Sequence, residues 1–283
     1  YVSSGLSWKT DYVATLSDDD KSMELIGWVT LVNNSGATYE NAELKLVAGE
    51  LNQVRPQVAS YKNRRYEMAA MADSVSAPQA ESLADYYLYR FPRKTTIRDR
   101  QTKQLQLISA NEIPVQKRYR VDSQQSPWRG TTTGQKTQAN VVVQFSNDKP
   151  QLGMPLPKGV MRFYKGDSQG AMQLLGEDNI NHTARNENLE LKLGQAFDIT
   201  AERKQMENSR GFSSGSRMVA WEIEMRNAKD EAVEVEVLER VYGDVTVLEE
   251  SQKHERVSAS ILRWVVQIPA NGKAELSYRV RQK

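Results

Sequence analysis

The sequence predicts a mostly β protein made of antiparallel β-sandwich domains, the C-terminal one immunoglobulin-like. Three observations predict it. Apolar residues recur with a period of two in several segments, the alternation that buries one face of a strand. Clusters of asparagine, glycine and proline stand between those segments, where turns need them. No apolar stripe of period 3.6 competes with them over a comparable length.

Trp8, Tyr12, Ala14 and Leu16 share one face of a first strand, and Asp18-Asp19-Asp20 makes a polar turn after it. Met23, Leu25, Val29 and Leu31 line the second strand, which ends on Asn33-Asn34-Ser35-Gly36, and Leu44, Leu46 and Ala48 mark a return that stops at Gly49. Between 55 and 84 the alternation lapses. Met68 and Met71 with three alanines favour helix there, but Ser74, Ser76 and Pro78 break it, so a mobile insertion with at most a short helix is expected. Strands are expected near 113–121 and 139–146, joined by a long polar loop over 123–138. Val219, Trp221, Ile223 and Met225 alternate with mostly charged residues, the pattern of a half-buried strand. Leu262, Trp264, Val266 and Ile268 repeat it, Pro269-Ala270-Asn271-Gly272 supplies turn residues, and Ala274, Leu276, Tyr278 and Val280 follow, which predicts a hairpin. With candidate strands near 189–193, 197–203, 232–242 and 245–250, the last hundred residues hold about seven short strands, the number expected of an immunoglobulin-like sandwich. The expected division is 1–186, a sandwich-like region carrying the 55–84 insertion, and 187–283. Three strands end at an asparagine, 28–33, 141–147 and 221–227, at unequal spacings that fit convergent turn chemistry rather than a tandem array.

Composition narrows the chemistry. Among 283 residues there is no cysteine, which removes disulfides, thiol nucleophiles, zinc ribbons and iron–sulfur clusters together. Two histidines, His182 and His254, are too few for a histidine-rich metal centre, so no metal or cofactor is expected. No run reaches the roughly 18 to 20 apolar residues of a membrane helix, and a net charge of +2 gives no general attraction to nucleic acid. The chain starts without methionine and enters a strand pattern almost at once, as a piece of a longer precursor would.

Two segments match G-x-S-x-G, around Ser168 and Ser213. A nucleophile elbow needs a buried strand before the serine and a helix after it. The first match lies between strand patterns at 160–165 and 172–175 and reads as a hairpin turn; the second lies in a serine- and glycine-rich loop. Asp18-Asp19-Asp20 lacks the spacing of a calcium loop. No catalytic residue is assigned, and a hydrolase acting at Ser168, or through carboxylates that the sequence does not single out, stands as the alternative to a binding role.

Charge is unevenly spread. Residues 51–136 hold fifteen lysines and arginines against seven acids, whereas 222–256 hold eleven acids against five bases. That separation suits an acidic protein, an anionic envelope polymer or head-to-tail self-association. The candidate binding patch is Arg90, Arg93, Lys94, Arg98, Arg100 and Lys103; on one strand, period two would place Arg98 and Arg100 on a single face.

Several segments, in order along nearly the whole chain, resemble a known family. They are Gly5-Leu6-Ser7-Trp8 with Asp11-Tyr12, Gly27-Trp28-Val29 through Asn33-Asn34-Ser35-Gly36, and the stretch from Leu44 to Gly49. They continue with Thr95-Thr96-Ile97, Leu156-Pro157-Lys158-Gly159-Val160, Gly194-Gln195-Ala196-Phe197-Asp198 and Pro269-Ala270-Asn271-Gly272. Together they resemble the bacterial family called domain of unknown function 4139, also termed mucoidy-inhibitor-like. The resemblance implies a secreted or periplasmic protein whose precursor carries a signal peptide and a further N-terminal region, often coiled-coil. It brings no catalytic residues. The resulting expectation is a non-enzymatic envelope or secreted protein that binds or scaffolds a partner.

Overall fold

The computed structural model describes residues 4–49, 72–73, 78–83, 86–123, 127–128, 134–210 and 216–283. The fold is mostly β: among the described residues no helix occurs, and none is long and apolar enough to cross a membrane. The strands of the first half are β1 (Leu6–Leu16), β2 (Ser22–Asn33), β3 (Tyr39–Ala42), β4 (Lys45–Ala48), β5 (Ala72–Asp73), β6 (Gln79–Leu83), β7 (Tyr86–Arg90), β8 (Thr95–Ile97), β9 (Gln101–Asp122) and β10 (Gln135–Ser146). There follow β11 (Gly159–Gly166), β12 (Met172–Ile180), β13 (Asn188–Arg210), β14 (Arg217–Asn227), β15 (Val233–Arg240), β16 (Val245–Glu250), β17 (Glu255–Ser258), β18 (Ile261–Ile268) and β19 (Lys273–Gln282).

The chain divides into two compact units, Tyr1–Gln116 with Gln144–Leu191, and Lys117–Val143 with Lys192–Lys283. A boundary at 186/187 leaves 117–143 with the N-terminal region, whereas the structure groups them with the C-terminal residues. Strands β9, β10 and β13 each run from one unit into the other, and alternation along a continuous strand carries no mark of such a division.

In the first unit the sheet order is β12-β11-β1-β2-β9. β1 and β2 form a hairpin from Leu6↔Asn33 to Leu16↔Met23, closed by Ser17 and by Asp20 at φ 57°. Tyr12, Ala14, Met23, Leu25, Met161 and Phe163 are buried. β11 runs parallel to β1, and short β5 parallel to β9, whereas the pairings β1–β2, β2–β9 and β11–β12 are antiparallel. Gly159 opens that pairing because a Cβ there would run into the carbonyl oxygen and hydroxyl of Thr10. A smaller sheet, β4-β7-β6, includes Gln79–Leu83, so part of the expected insertion is ordered strand. The strand-forming run Tyr86-Tyr87-Leu88-Tyr89 of β7 supplies its partner. The rest of that insertion, apart from β5 and Pro78, lies outside the described residues, as do 124–126 and 129–133 of the polar loop.

The second unit has two layers around one core. One contains β13, β14, β19 and β16; the other contains β9, β15, β18 and β17, with β9 parallel to β15, and β10 bonds to both β9 and β13 and so joins them. Val219, Trp221, Ile223 and Met225 of β14 are buried as the alternation requires, together with Val235, Trp264, Val266, Leu276 and Tyr278. The predicted hairpin over 262–280 is corrected. β18 bonds to β15 and β17, while β19 bonds to β14 and β16, so the turn at 269–272 carries the chain from one layer to the other. Both strands present their apolar face to the same core from opposite sides, and Trp264 stacks on Tyr278 at 4.8 Å between centroids. Pairing within a hairpin would put both faces on one side and leave the other layer without its central strand.

The strand-ending asparagines are buried, Asn33 and Asn147 fully and Asn227 at 2% exposure. Asn33 Nδ2 donates to Ala37 O (2.8 Å) and Arg98 O (2.9 Å), and its Oδ1 accepts from Ser35 N. Asn227 repeats the set with Glu231 O (2.7 Å), Pro269 O (3.0 Å) and Lys229 N. Asn147 shares the donor half, to Met154 O and Ala184 O.

Candidate functional site

In the first unit a cleft of about 540 Å³ is lined by residues 8–11, 47–49, 158–160 and 179–182. Three of those four stretches belong to segments that carry the family resemblance. The strand pattern of β1 builds one side of it. Thr10 and Tyr12 point to the buried face, where Tyr12 donates to Pro157 O (2.7 Å) and Thr10 Oγ1 donates to Lys158 O. Tyr89 on β7 donates to Pro155 O (2.9 Å), and Leu156 exchanges two backbone bonds of 2.9 Å with Thr183. Burial pushes both tyrosine hydroxyls well above their ordinary pKa, so they remain donors throughout the physiological range. Residues 155–158 are thereby held from several sides, and exposed Lys158 stands at the cleft.

The polar groups of the cleft are differently engaged. Asp11 pairs with Lys9 (3.1 Å) and Arg162 (3.3 Å), and Arg162 also binds Glu177 (3.0 Å). His182 Nδ1 accepts from Lys158 N at 3.2 Å. Among the described residues the Lys158 ammonium is in no ion pair. Trp8, Val47 and Ile180 supply the apolar surface. An indole, aliphatic side chains and a few polar groups in a volume of this size are the usual make-up of a small-ligand pocket.

A second exposed feature lies on the same unit. β12 stands at the end of its sheet and bonds to β11 alone among the described residues. Gly176 pairs with Phe163 and Leu174 with Tyr164, so Leu175 is the extra residue of a bulge. Met172, Leu174 and Leu175 are 50%, 55% and 42% exposed on this open edge.

The six residues of the sequence-derived patch are spread over several elements. Arg90 ends β7, 4.0 Å from Glu81; Arg93 and Lys94 lie exposed between β7 and β8. Arg98 and Arg100 flank Asp99 in a turn between β8 and β9, closed by Gln101 N to Arg98 O, with Arg100 at φ 56°. They are therefore turn residues and do not share a strand face. Lys103 on β9 turns inward to donate to Thr95 Oγ1 and Thr96 O.

Ser168 occupies the turn of the β11–β12 hairpin, as the flanking strands predict. Its neighbour Asp167 accepts from Gln173, Ala171 N and Gln169 N, which hold its carboxyl below the usual range. His182 lies beyond the far end of β12, and nine strand residues span roughly 30 Å, so the two cannot form a nucleophile and base. Ser213 lies outside the described residues. His254 is half-buried: Nδ1 meets Glu250 Oε2 at 2.8 Å, and Trp264 Nε1 donates to the same oxygen at 3.0 Å.

In the second unit, part of the basic stretch meets the acidic one. Glu236, 2% exposed, is gripped by Arg118 (2.6 Å), Arg120 (2.9 Å) and Arg263 (3.1 Å). Glu239 is buried beside Arg203, which also reaches Tyr278 and lies 3.8 Å from the centroid of Trp221. Burial raises the Glu239 pKa despite Arg203. Among the described residues no group of three or more acidic or histidine side chains is placed to hold a metal ion. Sequence spacing did not single out Trp8 and Lys158 as partners across one cleft, because 150 positions separate them; their common presence in the resemblance was the available signal. No curated protein matches the chain. Over residues 1–283, its whole length, it matches one family, and it therefore belongs to the family described as Domain of unknown function (DUF4139).

Proposed function

We propose that the chain is a non-enzymatic binding or scaffold protein of the cell envelope or the extracellular space, and that it takes an extended segment of a partner protein onto the open edge of β12. The exposed apolar run Met172, Leu174 and Leu175 on an end strand carries this reading. Edge strands are ordinarily guarded by charged side chains, proline, bulges or a covering loop; Glu177, Asp178 and the bulge guard the far part of β12, and the part from Met172 to Leu174 offers backbone donors and acceptors beside apolar side chains. The bulge at Leu175 limits pairing to part of the strand, which favours one short segment over unlimited stacking. Placement in the envelope rests on the family resemblance. The exposed arginines Arg90, Arg93, Arg98 and Arg100, with Lys94, offer a salt-sensitive second contact for an acidic partner; Lys103, the sixth residue of the patch, is engaged internally.

Peptides of alternating apolar and polar residues, selected by display against the intact chain, test the reading. Their affinity should fall at least about tenfold in Leu174→Lys, which puts charge on the edge, and in Leu174→Pro, which removes a backbone donor. Selected peptides that bind both variants as well as the parent would refute it.

A further inference from the structure

We propose that the cleft between Trp8 and Lys158 binds an amphipathic carboxylate, its apolar body against Trp8, Val47 and Ile180 and its carboxylate at the Lys158 ammonium. The charge arrangement selects the headgroup. Lys9 and Arg162 are neutralised by Asp11 and Glu177. Lys158 is then the one lining cation without a carboxylate among the described residues. A single uncompensated cation suits a monoanion. A phosphate dianion would bring a second negative charge close to Asp11 with nothing to balance it.

The apolar lining selects the rest of the ligand. Trp8 and Val47 are half-buried, so a purely polar anion would lose hydration against their exposed surface without replacement. An apolar chain or side chain removes that surface from water instead. The volume of about 540 Å³ admits a medium-length acyl chain or the last two or three residues of a peptide. The cleft is also preformed. Thr10, Tyr12 and Tyr89 fix residues 155–158, and the Lys158 backbone amide is bonded to His182, so little ordering is required on binding.

Two sources share this chemistry, a fatty acid and the free C-terminus of a peptide ending in an apolar residue. Calorimetric titration of the intact chain with decanoate, and with an acetylated tripeptide ending in leucine, separates them. Each is run beside its neutral counterpart, decanamide or the amidated peptide. At least one carboxylate should bind, with its neutral counterpart at least about tenfold weaker. Lys158→Gln should reduce that affinity about tenfold with the melting temperature unchanged, because the side chain is exposed. Trp8→Leu should weaken binding of the acid and the neutral form alike. Leu174→Lys on β12 should leave this binding intact, so failure of the strand-edge reading and failure of this one are distinguishable. The proposal is overturned if neither carboxylate binds at millimolar concentration, if acid and neutral forms bind equally, or if Lys158→Gln binds as tightly as the parent.

Discussion

Replacing Asn227 by alanine would strand the carbonyl of Glu231 and the amide of Lys229, and leave Pro269 O with the Gly272 amide alone, in a corner where the side chain is 2% exposed. Each buried group left without a partner costs about 1 to 3 kcal/mol, partly offset where water enters, so a loss of about 2 to 4 kcal/mol is predicted. Chemical denaturation measures it, and a loss below about 0.5 kcal/mol would contradict the clamp. Glu250 offers a pH-resolved test. Burial works against its charge, but bonds from His254 and Trp264 hold its carboxyl below the ordinary range. Its stabilisation is therefore present above the unfolded value of about 4.3 and is lost as pH falls through the lower folded value. The stability gap between the parent and Glu250→Gln should narrow below about pH 4; a gap unchanged from pH 7 to pH 3 would contradict it. At this scale the sequence was half legible. The recurrence of asparagine at strand ends is visible, but of the carbonyls that Asn33 and Asn227 reach only Ala37 O and Glu231 O are local; Arg98 O and Pro269 O lie 65 and 42 positions away, where no local pattern points.

Elements were read well where one face of a strand is buried. β1, β2, β14, β18 and β19 follow the alternation of Trp8 to Leu16, Met23 to Leu31, Val219 to Met225, Leu262 to Ile268 and Leu276 to Val280. Alternation states which side chains are buried and is silent on which strand lies alongside. That is why 269–272, with every residue of a hairpin turn, joins two layers. It is also why Arg98 and Arg100 flank a turn, since three-residue β8 is too short to show a period. Both arginines are exposed, and Arg100 is 3.7 Å from Asp99. Arg98→Glu with Arg100→Glu should therefore change stability by less than about 0.5 kcal/mol while abolishing any contact with an acidic partner that weakens steeply with salt. Unfolding of that variant would make the two arginines structural.

At the scale of the whole molecule, charge and connectivity decide the account. Arg118 and Arg120, at the end of the basic stretch, are taken up by Glu236 of the acidic one, so part of the separation seen along the sequence is cancelled inside the second unit. The segment 117–143 makes that unit discontinuous: Tyr119 of β9, Trp128 after it and Ala139 of β10 belong to its core. A fragment of residues 187–283 is predicted not to unfold cooperatively, because it lacks β9, the parallel neighbour of β15, and these core side chains. A sharp thermal transition in that fragment, matching one in the intact chain, would contradict the division into units.

The proposed recognition takes place on the first unit, at the edge of β12. Hydrogen exchange over the intact chain, with and without a selected extended peptide, tests it most directly. Protection should rise in residues 172–180, with 90–103 and the second unit unchanged. Protection that appears in the second unit or at 90–103, and leaves 172–180 exchanging as in the free chain, would contradict it.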